Sequence, residues 1–166
     1  MFVNNKTYSF LIAQGALIAA AYVVLTIAFA PFSFKEIQVR ISEALTILPM
    51  FTSAAVPGLA VGCLLANFIS GAPVFDVIFG SSATLIGAVG TRMLRKRKPV
   101  LAVIPPIVAN MLIIPFVLRY AYEVPLPIPL MMITVGIGEA ISCGIFGLLL
   151  YKALFAHRKS IFKAED

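Results

Sequence analysis

Apolar stretches of about 20 residues, the length of a helix that crosses a bilayer, recur along the chain and are separated by short polar breaks. The composition agrees with this pattern, because 61% of the 166 residues are hydrophobic and only 12% are charged, whereas soluble domains are about half apolar. A membrane β-barrel would alternate polar and apolar residues, and these stretches do not. The chain is therefore predicted to be an all-α integral membrane protein.

Length and helix-breaking residues divide the apolar sequence into six predicted spans. The second and third are short, and the turn between them is expected just before Pro57, which disfavours helix in the residue that precedes it. The first apolar stretch is longer than the roughly 7 to 15 residues of a signal peptide, so it is expected to remain as a span. Short loops leave room for a single domain, residues 1–166. The predicted spans are Ser9–Phe29, Ser42–Ala55, Pro57–Ser70, Val74–Leu94, Val100–Tyr120 and Pro129–Phe155.

Lysine and arginine residues are distributed unequally between the two predicted surfaces. Because cytoplasmic loops are enriched in these residues, the richer surface and both termini are predicted to be cytoplasmic. The asymmetry also accounts for the net charge of +6 without a nucleic-acid partner. Ten of the thirteen basic residues lie on the richer side, namely Lys6, Arg92, Arg95, Lys96, Arg97, Lys98, Lys152, Arg158, Lys159 and Lys163, and the others are Lys35, Arg40 and Arg119.

Strongly polar side chains at membrane depth are costly and usually face a bundle interior, so they are the first candidates for a binding site. Glu139 lies roughly three helical turns inside the last span, where we expect it to contact a ligand. Alternatively, it forms a buried structural pair or is a protonated acid. Glu43 and Asp76 begin helices, where the helix dipole favours a carboxylate, so capping is their alternative role. The candidates for substrate binding within the spans are Glu43, Asn67, Asp76, Asn110 and Glu139.

The segment before the second span alternates polar and apolar residues from Ile37 to Ser42, which predicts a short strand. Such a strand could cover the outer mouth of the bundle as an extracellular loop, with its polar face on the ligand. Its alternative role is a tether between two helices. Gln38 and Arg40 are therefore added to the candidate binding residues.

Small residues recur at four-residue spacing on several spans, a pattern that lets helix backbones approach closely in lipid. Ala16 and Ala20 form such a face on the first span, which has hardly any polar residue to turn inward. This face is predicted to contact either the bundle or a partner protein.

The chain lacks motifs for nucleotide hydrolysis and metal-dependent catalysis. It contains no G-x-x-x-x-G-K-[ST] and no H-E-x-x-H, which bind phosphates and zinc respectively. Cys63 and Cys143 lie inside predicted spans without a second Cys or His at ligand spacing, so neither a metal site nor a disulfide is predicted. We therefore expect no catalytic residue and no cofactor in this chain.

Three segments resemble the queuosine-precursor substrate-binding subunits, the QueT family, of energy-coupling-factor importers. They are residues 37–49, the most specific of the three, then 57–67 and 76–85. The resemblance implies a six-helix S component of the cell membrane that captures a 7-deazaguanine such as queuine from outside. It would dock on a scaffold subunit driven by two ATPase subunits, which hydrolyse the ATP. In similar subunits an A-x-x-x-A face contacts the scaffold, and Ala16 with Ala20 matches that pattern.

The polar candidates match the chemistry of the implied ligand. One carboxylate can accept from the ring N–H and the exocyclic amine of a guanine-like edge, while the ring carbonyl needs a donor. Glu139 or Glu43 is expected to accept from this edge, and Asp76 or Glu43 to neutralise a substituent amine. The other candidates are expected to orient the ligand or, for the arginine, to balance the acids or gate the loop: Gln38, Arg40, Asn67 and Asn110. One departure from the family pattern is Lys35-Glu36, where similar loops often have Gly-Pro.

Other functions remain open from the residues alone. A shared fold does not fix the ligand, so another vitamin-like solute is an alternative. From a different class, the chain could be an intramembrane enzyme that uses Glu139 as an acid or base, or an assembly factor. Replacement of Glu139 by Gln would reduce turnover without reducing binding in an enzyme, but would reduce affinity in a binding subunit.

Overall fold

The structure is a computed structural model that describes residues 5–29 and 39–162. Every regular element within these residues is a helix, which confirms the all-α prediction for this part of the chain. The elements are α1 (Asn5–Ala28), the 3₁₀ helix α2 (Ile41–Met50), α3 (Ala55–Ile69), α4 (Val74–Met93), α5 (Pro99–Ala102), α6 (Ile104–Tyr120), α7 (Ile128–Glu139), a π-helical segment (Ala140–Phe146), α8 (Gly147–Phe155) and α9 (Arg158–Ile161).

Four helical stretches are long and apolar enough to cross a membrane: Tyr8–Ala28, Val74–Met93, Pro99–Tyr120 and Ile128–Phe155. The protein is therefore a multi-pass membrane protein. The other two apolar helices are shorter, since the 15 residues of α3 extend about 22 Å and the 10 residues of α2 about 20 Å. The count of six complete spans stays a prediction.

Helix α2 lies in the interior of the bundle. All residues from Ser42 to Pro49 are buried, and the helix packs against α1, α4, α8 and the π-helical segment. The predicted span Ser42–Ala55 is thus a shorter, enclosed helix that ends at Met50. Because α2 is covered on all sides, the alternation of polar and apolar residues at its start does not determine its conformation.

The strand prediction is wrong for the described part of residues 37–42. Arg40 is extended but precedes a helix, and Ile41 and Ser42 form the first turn of α2. Interior partners explain the difference, since Thr26 Oγ1 donates to Ser42 Oγ at 2.8 Å and holds this residue against α1. The remainder of the predicted strand, including Gln38, lies outside the described residues.

Close approach of helix backbones depends on glycine at several crossings, as predicted from the four-residue spacing. A Cβ atom on Gly58 of α3 would lie 2.6 Å from the carbonyl oxygen of Gly15 on α1. A Cβ atom on Gly87 of α4 would lie 2.6 Å from Cα of Pro106 on α6. The pairs α1–α3 and α4–α6 therefore pack at distances that larger residues would not permit.

Helix α1 is the least covered of the long apolar helices, with 17% of its apolar window buried. Ala16 and Ala20 are both exposed on it. Ala16 lines a groove of about 480 Å³ between α1 and α3, together with Gly58 and Val61. The small-residue face predicted on this helix therefore lies on the outside of the bundle.

Candidate functional site

Polar side chains are concentrated in the interior of the bundle, between α2, α4, α6 and α7. Three acids and an arginine are almost completely enclosed: Arg40 is 4% exposed, Glu43 1%, Asp76 2% and Glu139 3%. Buried charges are stable in such an environment only when they are paired or hydrogen-bonded. The other buried polar residues in the described chain are Thr26, Ser42, Thr46, Thr52, Asn67, Ser81, Thr84, Thr91, Asn110 and Ser142.

Part of this polar interior lies along one face of α4. Asp76, Gly80 and Thr84 are spaced four residues apart and are buried, so they lie in a row along the same side of the helix. The row extends about 12 Å at 1.5 Å per residue. It links two groups of side chains, which we call the outer network and the inner pair.

The outer network consists of Arg40, Asp76 and Tyr122. Asp76 Oδ2 lies 3.2 Å from Arg40 Nη2 and accepts a hydrogen bond from Tyr122 Oη at 2.7 Å. Burial and the neighbouring negative charge of Asp76 raise the pKa of Tyr122, so its hydroxyl keeps its proton and donates. The network joins the residue before α2, the first turn of α4 and the loop after α6, and it neutralises Asp76.

Asn67 on α3 lies beside this network. Its Nδ2 donates to the backbone carbonyl of Asp76 at 3.1 Å. Gly80 provides the room for both side chains, because a Cβ atom there would lie 2.7 Å from Asp76 Oδ1 and 3.1 Å from Asn67 Nδ2. Asn67 and Asp76 therefore depend on the absence of a side chain at position 80.

The inner pair consists of Glu43 on α2 and Glu139 at the end of α7. Glu43 Oε1 accepts hydrogen bonds from Tyr22 Oη and from Thr84 Oγ1 at 3.1 Å. Cys143 Sγ donates to Glu139 Oε2 at 3.2 Å. A carboxylate oxygen of each glutamate and the Cys143 sulfur lie within 4.8 Å of one another. Two buried carboxyl groups are therefore close neighbours.

These three atoms are also of the types that bind zinc, which takes thiolate and carboxylate ligands and usually four ligands in all. The sequence did not indicate such a group, because Glu43 and Cys143 are 100 residues apart. Only the packing of α2 against the π-helical segment brings them together.

Four buried side-chain oxygens have no hydrogen-bond partner among residues 5–29 and 39–162: Glu43 Oε2, Asn67 Oδ1, Asp76 Oδ1 and Ser142 Oγ. An unsatisfied buried polar atom costs about 1–3 kcal/mol. Carboxylate and amide oxygens can only accept hydrogen bonds. Most of this group therefore requires a donor, and the interior is suited to a ligand with several N–H groups.

The remaining predicted residues are placed as follows. Asn110 is buried on α6, donates to the carbonyl oxygen of Pro106 at 3.2 Å and lies next to Glu139. The structure thus places Arg40 and Asn67 around Asp76, while Asn110 lies with the inner pair.

Tyr22 and Thr84 were not among the predicted site residues, although both donate to Glu43. Two signals could have indicated them. Tyr22 is one of few polar groups within the first apolar stretch, and Thr84 lies eight residues after Asp76 on the same helix face.

An enclosed pocket among the binding residues, which their expected role requires, stays a prediction. Three grooves of about 440 to 480 Å³ lined by described residues lie elsewhere. One of them lies between α4 and α6 and is lined by Phe75, Phe79 and Phe116, among others. Its apolar lining distinguishes it from the outer network and the inner pair.

A multi-pass helical bundle with ionisable groups in its interior is typical of membrane proteins that bind or move polar solutes. The family model described as QueT transporter matches residues 12–156. The chain belongs to the QueT transporter family, which confirms the resemblance seen in the sequence.

A curated relative supports this assignment. The queuosine precursor transporter QueT of Lactococcus lactis subsp. cremoris (strain MG1363) is 36% identical over 85 residues, which are 50% of this chain and 48% of the relative. The match thus spans about half the length of the curated relative. A comparison with solved structures finds no significant match.

Proposed function

We propose that the protein is the substrate-binding subunit of an energy-coupling-factor importer and captures a queuosine precursor, a 7-deazaguanine such as queuine. Membership of the QueT transporter family and the name of the Lactococcus relative support this substrate class. The observation that carries the proposal is the set of buried acceptor atoms on Glu43, Asn67 and Asp76 that have no partner among residues 5–29 and 39–162. These atoms require a ligand rich in donors.

A 7-deazaguanine provides those donors. Its ring N–H and exocyclic amine point the same way and can be accepted together by one carboxylate. Asn67 and Asp76 offer acceptor atoms at the outer end of the α4 row, and Glu43 offers one further along it, none of which has a partner in the described part of the chain. The amide groups of Asn67 and Asn110 are the proposed donors for the ring carbonyl, and Gln38 is proposed to contact the ligand from the loop before α2.

The proposed orientation follows from charge and burial. In this proposal the chain crosses the cell membrane six times, with both termini and the basic loop at residues 95–98 in the cytoplasm, because basic residues are enriched on the cytoplasmic side. The outer network, formed at the start of α4 and in the loop after α6, then lies towards the exterior. Ligand would enter from that side, with the loop before α2 as a cover.

Transport itself requires partners in this proposal. A scaffold subunit would contact the exposed face at Ala16 and Ala20, and two ATPase subunits bound to the scaffold would hydrolyse ATP. The loaded subunit would topple in the membrane to release its ligand inside. The limited coverage of α1 by the rest of the bundle supports a contact surface on this helix.

Ligand binding to the purified full chain in detergent tests the substrate. Queuine, its 7-deazaguanine precursors, guanine and common vitamins are compared by thermal stability. A true ligand stabilises the folded state by mass action, by about 2.7 kcal/mol at 100 times its Kd. We expect 7-deazaguanines to raise the melting temperature more than guanine does. Stabilisation by an unrelated vitamin alone would contradict the proposed substrate.

Affinity capture from the native membrane tests the partners. We expect a scaffold subunit and ATPase subunits to co-purify with the wild-type chain. Replacement of Ala16 and Ala20 by Leu should prevent co-purification but preserve ligand binding, because both residues are exposed and lie on α1, away from the buried acids. Retention of the ATPase subunits by this variant would contradict the assigned docking face.

A further inference from the structure

The acids of the interior differ in how their charge is balanced. Asp76 has the Arg40 guanidinium at 3.2 Å. Among the described residues, the donors beside Glu43 and Glu139 are the hydroxyl groups of Tyr22 and Thr84, the Cys143 thiol and the Asn110 amide, which are all neutral. A positive charge is therefore in contact with the outer acid, whereas the inner pair is hydrogen-bonded by neutral groups.

Two carboxylates at this separation repel each other, and the repulsion is strong where water is excluded. A cation that contacts both would remove it. The Oε2 atom of Glu43 independently indicates a ligand contact. The side chain is 1% exposed, and this atom has no hydrogen-bond partner in the described part of the chain, so it requires a donor. Within the described part of the chain, the inner pair thus has no cation in direct contact, and Glu43 Oε2 has no donor. An ammonium group would supply both.

We propose that Glu43 and Glu139 form a cation subsite that holds the protonated amine of an amine-bearing 7-deazaguanine. Asp76, already paired with Arg40, then contacts a neutral part of the ligand. This inference rests on the proposed function and extends it, because it states which precursors are preferred. Those with an alkylammonium group at the 7-position bind more tightly than those with an uncharged substituent.

Two ligands of nearly the same shape test the subsite: 7-aminomethyl-7-deazaguanine, which is cationic at neutral pH, and 7-cyano-7-deazaguanine, which is neutral. Both are titrated into the purified full chain, and their Kd values are compared. EDTA in every titration removes metal ions as competing cations. A hydrogen bond to a charged group that is lost corresponds to at least about a tenfold change in affinity, so wild-type protein should prefer the cationic ligand by that factor.

Variants show which residues cause the preference for the cationic ligand. Glu43→Gln and Glu139→Gln should each weaken binding of the cationic ligand at least about tenfold and that of the neutral ligand less than about threefold. Glu123→Gln is the matched control, because it removes the same charge from an exposed residue in the loop after α6. This control should retain the wild-type ratio of the two Kd values.

The outcomes distinguish this inference from the function on which it rests. Equal affinity of the wild-type protein for the two ligands, or tighter binding of the neutral one, overturns the cation subsite and leaves the proposed function intact. An unchanged ratio in both glutamine variants overturns it too. Binding of neither ligand to the wild type overturns the proposed function as well. If the variants fail to fold, the wild-type ratio decides.

Discussion

The outer network and the inner pair both contain buried carboxyl groups, and both contact helix α4. They differ in the groups that contact these carboxylates. Asp76 is bound by a guanidinium and a phenol, and these join three separate parts of the chain. Glu43 and Glu139 are close neighbours with neutral donors, and one oxygen of Glu43 has no partner among the residues that the structure describes. Burial alone therefore does not define the role of an acid. We expect Asp76, which is neutralised by Arg40, mainly to join parts of the protein, and the inner pair mainly to bind the charged group of the ligand.

The largest effect should follow from breaking the outer network. In Arg40→Met the carboxylate of Asp76 loses its ion-pair partner while it stays buried. Removal of one partner of a buried pair costs about 3–5 kcal/mol, so the ligand-free protein should lose that much stability in thermal or denaturant unfolding. The double variant Arg40→Met with Asp76→Asn should recover most of the loss. Full stability of the single variant would show that the ion pair does not hold these segments together.

A smaller effect should follow from displacing a donor of the inner pair. A Cβ atom on Gly62 would lie 2.8 Å from Cβ of Tyr22, and Tyr22 donates to Glu43. Gly62→Ala should cost about 1–3 kcal/mol through overpacking and should also weaken ligand binding. Gly144→Ala is the matched control, because no described atom outside its own helical turn and adjacent residues lies within 4 Å of the added carbon. Equal stability and affinity of the two variants would contradict the proposed link between this helix contact and the site.

The smallest effect should come from Tyr122→Phe, which removes one donor from Asp76 and leaves Arg40 in place. We expect a loss of about 1 kcal/mol. Because the pKa of Tyr122 is raised from its ordinary value of 10.0, the phenol is protonated in both the folded and unfolded states below about pH 10. Its contribution is therefore fully present there and is lost only as the pH rises through the folded-state pKa. Unfolding of wild type and variant at pH 7 and 9 should show the same difference, and a difference that shrinks by pH 9 would contradict this.

Apolar length predicted most of the fold. Helix α4 begins at Val74 and ends at Met93, one residue before the predicted end. The exception is α2. Because it is buried on all sides, its sequence does not show the polar face and apolar face from which strands and helices are predicted. The distinction between a complete span and a short interior helix comes from contacts with other helices, which the local sequence does not specify.

The acids of the site could be predicted from the sequence, because charged residues at membrane depth are few and costly. Asp76, Glu43 and Glu139 were predicted on this basis, and all three are buried. Their partners could not be predicted in the same way. The contact of Arg40 with Asp76 and that of Cys143 with Glu139 depend on how α2, α4 and the π-helical segment meet. Their assigned roles in binding stay predictions.

The most direct test of the account compares Asp76→Asn with Glu139→Gln. Both replace a carboxylate by an amide of the same shape, and each is measured for ligand-free stability and for affinity towards 7-aminomethyl-7-deazaguanine. We expect Asp76→Asn mainly to lower stability, because Arg40 loses its ion-pair partner, and Glu139→Gln mainly to lower affinity with little loss of stability. The opposite pattern, or two variants that bind and unfold like wild type, would refute the different roles of the two acids.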